Sequence, residues 1–191
     1  IKLKYLENQI QPHFFFNTLN NLYALSLESS YKVPDVIIKL SKLMEYVLYD
    51  IEGTKYVSLL KEIDYIQNYI EIEKLRFENV EVTLNIESNI DNVIVPPLLF
   101  ISLIENAFKH GGYNNKKLKI KINCKIVDKF FYLEIINNFV LSPSVKNQKG
   151  IGLVNTKKRL KLIYKNNFSI EHQVKFNYYI IQLKIPINNE D

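Results

Sequence analysis

Two hydrophobic periods divide this chain. Up to Phe77 apolar residues recur every three or four positions, and beyond Asn79 they mostly alternate with polar ones. Leu3, Leu6 and Ile10 begin a helical stripe that Phe15, Leu19 and Leu22 continue, so residues 1–30 are predicted to be helical. Pro12 interrupts that stripe. A proline removes a backbone donor and clashes with the carbonyl four residues back, which predicts a kink or a new start there. Phe14, Phe15 and Phe16 follow it, and three adjacent aromatics cannot all face one core. A second helix or a second chain must cover some of them. Val36, Ile37, Leu40, Leu43, Met44, Val47, Leu48 and Ile51 predict a second helix over residues 33–51, with Pro34 in its first turn. Ser58 is placed to cap a third helix, which carries Leu59, Ile63, Ile66 and Ile70 on its apolar face and ends near Phe77. Helices with such broad apolar faces bury poorly alone, which predicts dimerisation into a bundle.

After Asn79 the period changes. Val82, Leu84 and Ile86 read as a strand, and Asp91-Asn92 as a turn. Leu118 to Ile126 is the clearest strand, with Lys119, Lys121, Asn123 and Lys125 turned to water. Phe131 to Ile136 is another, running into Asn137-Asn138. Residues 139–149 carry no period and read as a mobile loop. A helix with Leu153, Leu160 and Ile163 inward follows, then strands near Phe168–His172 and Tyr178–Ile185. The predicted fold class is α+β: a helical region over residues 1–77, then an α/β sandwich over 78–191.

The stretch Leu98 to Gly112 organises the second region. As a helix it sets Leu98, Ile101, Ile104 and Phe108 on one face. Asn106 and His110 lie four apart on a different face, Lys109 stands beside them, and Gly111-Gly112 stops the helix. An amide, an ammonium and an imidazole along one edge of a buried helix point to a bound polyanion.

Composition narrows the field. In 191 residues, 47% hydrophobic and 24% charged, a packed core is expected rather than disorder. The net charge of +5 is spread over scattered lysines with no dense arginine cluster, which argues against direct nucleic acid binding. The single cysteine, Cys124, shares the parity of Leu118, Ile120, Ile122 and Ile126, so it is predicted to be buried. One cysteine and three separated histidines build neither a disulfide framework nor a zinc site. No apolar run approaches the roughly 20 residues needed to span a bilayer. The chain opens at Ile1 without a methionine and inside a helical pattern, so it is expected to be a piece of a longer protein, whose preceding part could be a membrane span or a sensor.

Three segments carry candidate chemistry. They are Gln11-Pro12-His13-Phe14-Phe15-Phe16-Asn17, Glu105-Asn106-Ala107-Phe108-Lys109-His110-Gly111, and Gly150-Ile151-Gly152-Leu153-Val154-Asn155-Thr156-Lys157-Lys158-Arg159-Leu160. In the third, two glycines let the backbone approach a ligand, and the helix that follows presents free amides and a positive dipole end to an anion. In the first, an imidazole just after a proline break is mostly neutral at pH 7 and so can act as a nucleophile. Asn17 lies one turn further along the same face.

In this order and at these separations, PHFFFN followed by LNNL, IENAFKHG, and GIGLVNTKKRL resemble the catalytic core of LytS/YehU-type sensor histidine kinases. YVSLLKEIDYIQNYIEIEKLRF and VPPLLFISLIEN support the resemblance, which runs from about Leu6 to Pro186. It implies a Bergerat-type ATP-binding fold, the superfamily of gyrase, histidine kinases and MutL, behind a helical dimerisation and phosphoacceptor region. By position it makes His13 the phosphoacceptor and Asn106 the residue that holds Mg²⁺ against the ATP phosphates. Lys109 and His110 would line the phosphate side. Gly150 and Gly152 would mark where the lid meets the next helix, and Leu153, Asn155 and Arg159 would face the nucleotide. The implied reaction moves the γ-phosphoryl of ATP to an imidazole nitrogen of His13, then to an aspartate of a response regulator receiver domain, often of a LytTR-type regulator. The implied setting is a homodimer joined through the N-terminal helices, the cytoplasmic portion of a membrane-anchored sensor.

Two positions depart from the family pattern. Where the superfamily carries an Asp-x-Gly box for the adenine amino group, this chain has Asn137-Asn138-Phe139. Asn137 can still accept that bond through its side-chain oxygen, but without charge assistance. The acidic residue that follows the phosphoacceptor in many histidine kinases is replaced by Phe14. These departures motivate a runner-up, a dimeric signalling module that binds ATP weakly or not at all. A gyrase-like ATP hydrolase is a third reading. It wants a water-activating glutamate, and Glu105 points about 100° away from Asn106 around the helix.

Overall fold

The structure is a computed structural model, and it describes residues 12–77, 79–87, 90–110, 117–138 and 151–189, apart from the side chains of residues 12, 13, 110, 151, 188 and 189. The predicted helix over residues 1–11, the Gly111-Gly112 stop, the loop over 139–149 and Gly150 lie outside those residues.

Helix α1 spans Pro12–Leu27. Helix α2 (Val33–Glu45) buries Val36, Leu40 and Leu43 and widens into a π-helical turn over Tyr46–Asp50. A short strand β1 (Val57–Ser58) leads into α3 (Leu59–Arg76). The Ser58 hydroxyl accepts from the Lys61 N–H at 3.3 Å and so satisfies one open donor of the first turn of α3. The chain continues through β2 (Val80–Ile86), β3 (Val93–Val95), α4 (Ile101–His110), β4 (Leu118–Val127), β5 (Phe130–Asn138), α5 (Ile151–Tyr164), β6 (Ser169–Lys175), β7 (Tyr178–Pro186) and β8 (Asn188–Asn189).

The main sheet has the order β2-β4-β5-β7-β6, with β2 parallel to β4 and every other neighbour antiparallel. Alternation decides which face is inside. Leu118, Ile120, Ile122 and Cys124 of β4, Phe131, Leu133, Ile135 and Asn137 of β5, and Ile181, Leu183 and Ile185 of β7 are all buried. Register stacks them in rows such as Ile122–Ile135–Ile181 and Cys124–Leu133–Leu183, each pair worth about 0.2–1 kcal/mol. Burial pushes the Cys124 thiol up to about 12, which leaves it inert. β4 and β5 are joined by a two-residue turn, Asp128-Lys129, with both residues at positive φ (50° and 63°) as a type I′ hairpin demands.

A small second sheet, β1-β3-β8, touches α3 through β1 and β3. The sequence does not announce these strands, because segments of two or three residues are too short to show a period. α3 packs on α2 and also on β3, and one continuous apolar cluster runs from Phe14 and Leu43 through Ile66 to Leu183. The architecture is α+β, as the pattern predicts, and none of its helices is long and apolar enough to cross a membrane among the described residues. One boundary differs. The helix read from Leu98 begins at Ile101, because Leu98 stands at φ +53°, outside right-handed helical space.

Candidate functional site

Helix α4 lies on the inward face of β4 and β5. Its apolar face, Ile101, Ile104 and Phe108, is buried as the spacing predicts, as is Leu98 just before it. The other seam of α4 meets α5, and the two helices run past each other with opposite numbering. Asn106 sits against Gly152. A Cβ added at Gly152 would stand 2.8 Å from the Asn106 side-chain nitrogen and 3.2 Å from its oxygen, so only a glycine lets this amide lie where it does.

One turn back along α4 and one turn on along α5, the hydroxyls of Ser102 and Thr156 are 2.7 Å apart. Thr156 donates to the Gly152 carbonyl at 2.9 Å, which leaves Ser102 as the donor between the two hydroxyls. A further turn on, the Arg159 guanidinium donates to the carbonyls of Leu98, at 2.9 Å, and of Pro97. Asn106–Gly152, Ser102–Thr156 and Leu98–Arg159 are thus three successive rungs of one antiparallel seam.

This geometry separates residues that the sequence groups together. Gly152 and Asn106 are in contact. Leu153 is half-buried in the first turn of α5, Asn155 is exposed, and Lys109 is exposed in the last turn of α4. Asn137 is buried on the inward face of β5, its amide nitrogen donating to the Asn138 carbonyl at 3.2 Å. Asn138 pins the start of β4: its side chain accepts from the Lys119 N–H at 2.7 Å and donates to the Lys117 carbonyl at 2.9 Å. Arg159 lies on the same seam. Its guanidinium donates to two backbone carbonyls at the far end of the seam, about 10 Å along α5 from Gly152 at 1.5 Å per residue. His13 lies in the first turn of α1. The orientations of the His13 and His110 side chains, with Gly150 and Phe139, lie outside the described residues.

The helical region reaches α4 through aromatic rings. Phe14, next to His13, packs on Tyr69 of α3 with ring centroids 4.8 Å apart. Tyr69 meets Phe108 edge-on at 6.1 Å, and Phe108 meets Phe77 at 5.7 Å. Of the three phenylalanines, Phe14 is buried, Phe15 half-buried and Phe16 67% exposed, so one core does not take them all.

Glu62 is the residue that pattern reading passed over. It lies on α3 with no exposed surface. Its carboxylate accepts from the Tyr46 hydroxyl at 2.6 Å, from the Leu98 N–H at 2.9 Å and, at the long limit of 3.5 Å, from the Phe100 N–H. Burial raises its pKa, and those donors, with the Arg159 charge, pull it back down. Burial and the Glu62 charge hold the Tyr46 phenol far above its ordinary range, so it remains a donor. A bond to a charged acceptor is worth about 1.5–3 kcal/mol, which here offsets the cost of burying the carboxylate. Glu105, next to Asn106, is half-buried. Burial first and the nearby Glu73 second raise its carboxyl to about 7, with Lys109 opposing. Glu73 is itself buried and bonded to Arg76 at 2.6 Å.

Residues 1–80 match the family model described as histidine kinase. The chain is 34% identical over 119 residues to the sensor histidine kinase/phosphatase LytS of Staphylococcus aureus strain MRSA252, covering 61% of this chain and 20% of that protein. It is 28% identical over 192 residues to the sensor histidine kinase BtsS of Escherichia coli K12, covering 99% of this chain and 34% of that protein. Among solved structures, the catalytic domain of the histidine kinase ThkA aligns with a TM-score of 0.53 at 19% identity, over 69% of this chain and 93% of that one. The histidine kinase domain of a blue-light activated kinase from Erythrobacter litoralis aligns with a TM-score of 0.55 at 11% identity, over 89% and 94%. At such identities the structures speak for the fold, which is that of histidine kinase catalytic domains. Over its first 80 residues the chain is similar to the histidine kinase family, and the sensor histidine kinases LytS and BtsS are among the proteins it resembles. It spans between a fifth and a third of the length of those two proteins.

Proposed function

We propose that this chain is the catalytic core of an ATP-dependent protein-histidine kinase, in which His13 takes the γ-phosphoryl of ATP. The contact between Asn106 and Gly152 carries the reading. A half-buried amide oxygen is held in a notch that a methyl group would fill, on the helix edge that the family uses for phosphates. The donor set fits Mg²⁺, a hard cation that takes few protein oxygens and completes its shell with phosphates and water. Asn106 would hold the ion, which supplies charge neutralisation at the transferring phosphoryl. Lys109, exposed beside it, adds positive charge, and Gly152 lets the α5 backbone lie directly against Asn106. Asn137 would accept the adenine amino hydrogen through its side-chain oxygen.

In the transfer, the bond between the γ-phosphorus and the bridging oxygen breaks, ADP leaves with the electron pair, and a nitrogen–phosphorus bond forms at His13. Catalysis of this kind rests on positioning and charge. The phosphoryl would then pass to a receiver-domain aspartate, of a LytTR-type regulator by family likeness. Homodimerisation is supported by one exposed apolar stripe on α1 (Phe16, Leu19, Tyr23 and Leu27) and by Ile37, Met44 and Leu48 of α2. We place the parent protein at a membrane, with this core on its cytoplasmic side.

Incubation with radiolabelled ATP and Mg²⁺ tests the reading. Acid-labile, alkali-stable label is expected on the wild type and none on His13→Ala. Label that persists in the variant removes His13 from its role. The neutral Asn137 favours one other reading, a signalling module without useful nucleotide affinity. Calorimetric titration that finds no binding at millimolar ATP analogue would establish that module instead.

A further inference from the structure

The turn before α4 is gripped from two sides. Glu62, from α3, takes the N–H groups of Leu98 and Phe100. Arg159, from α5, takes the carbonyls of Pro97 and Leu98. Tyr46, from the π-helical turn that ends α2, donates to the same Glu62 oxygen that accepts from Leu98. Between them Leu98 is held at φ +53°, a conformation that a leucine does not adopt without support.

A packed apolar contact would bury this junction at lower cost than a carboxylate with no exposed surface and a half-buried arginine. What the polar version adds is direction. Each grip fixes a particular peptide unit, and those units set the axis and rotation of a ten-residue helix. Asn106 lies two turns further along that helix, on the seam whose first rung is the Leu98–Arg159 contact.

We propose that Tyr46, Glu62 and Arg159 are positioning residues for the nucleotide site, tying the end of α2 to the orientation of Asn106. The proposal rests on the kinase reading above. A displacement of α2 reaches α4 through the Tyr46 hydroxyl and Glu62, and it reaches Asn106 and Gly152 through the rungs of the seam. The helical region therefore sets how well Mg²⁺-ATP is held as well as where His13 stands.

The test is nucleotide affinity and the split between KM and kcat, measured on this chain and read beside a thermal melt. Tyr46→Phe removes one hydroxyl and leaves the ring against Tyr65, 4.8 Å away between centroids. Its Kd for a non-hydrolysable ATP analogue with Mg²⁺ should rise about three- to tenfold, with KM following, because a sub-ångström misplacement of a positioned group has effects of this order. In an Asn106→Ala background the same Tyr46→Phe change should alter affinity less than about twofold, since residues acting as one unit are not additive. Glu62→Gln should act in the same direction and more strongly. A Tyr46→Phe protein that melts like the wild type and binds the analogue equally well overturns the proposal and leaves the kinase reading intact. An undiminished effect in the Asn106→Ala background also overturns it, since the influence then does not run through Asn106. A wild type that binds no analogue overturns the kinase reading, and the proposal with it.

Discussion

Gly152→Ala separates function from stability at one atom. The new methyl carbon would lie 2.8 Å from the Asn106 side-chain nitrogen, where ordinary contact begins at 3.4 Å, so the amide must retreat by about 0.6 Å. The obstructing atom is the end of a rotatable side chain, so the fold can yield cheaply. Alanine also favours the first turn of α5, by less than about 1 kcal/mol at a helix end. The two effects oppose each other, and the melting temperature should stay within about 2 °C of the wild type. Nucleotide binding has no such compensation. If about 1 Å of misplacement costs on the order of a hundredfold, a shift of about 0.6 Å should cost about tenfold, or about 1.4 kcal/mol. Calorimetric titration with an ATP analogue and Mg²⁺, beside a thermal melt, reads both quantities. A variant that binds as tightly as the wild type with an unchanged melt would refute the reasoning, because Asn106 would then not need the position that Gly152 grants it.

Two further outcomes are expected. Lys129→Gly relieves a positive φ of 63° in the exposed β4–β5 turn and should raise the melting temperature by about 1–3 °C, checked by calorimetry, with the hairpin register unchanged. Glu105 titrates near 7 in the folded chain against an ordinary value of 4.5, so between those pH values the native state holds a proton that the unfolded chain has released. Stability contributed by this group therefore falls as pH rises across that window. Glu105→Gln should flatten the fall and melt higher than the wild type at pH 8. An unchanged pH profile in urea titrations would remove Glu105 as its source.

Local pattern carried some of this structure and was blind to the rest, for identifiable reasons. Burial of Cys124 follows from parity, and the start of α3 from a serine before an apolar period. The second region was legible because strand and helix periods differ. The Arg159 contacts with Pro97 and Leu98 were not legible, because sequence spacing does not reveal which way the facing helix runs. Since α4 runs opposite to α5, each turn along α5 leads away from Asn106. Glu62 reads locally as a charged residue in the first turn of an amphipathic helix. Its partners Leu98 and Phe100 lie 36 and 38 residues away, beyond any periodic signal. Ser102 and Thr156 were equally silent, each being an ordinary hydroxyl until the two helices meet.

The buried thiol has a practical consequence. Cys124 is 1% exposed and its pKa is pushed up to about 12, so a thiol-reactive probe at neutral pH should pass it by. Because it is the single cysteine of the sequence, the natural chain already serves as a blank for site-directed labelling. A cysteine placed at Tyr31, 87% exposed beyond the end of α1, would carry a spin label without any native residue having first been removed. In a homodimer the distance between two such labels would report directly on how the helical regions meet, and on whether nucleotide changes that spacing.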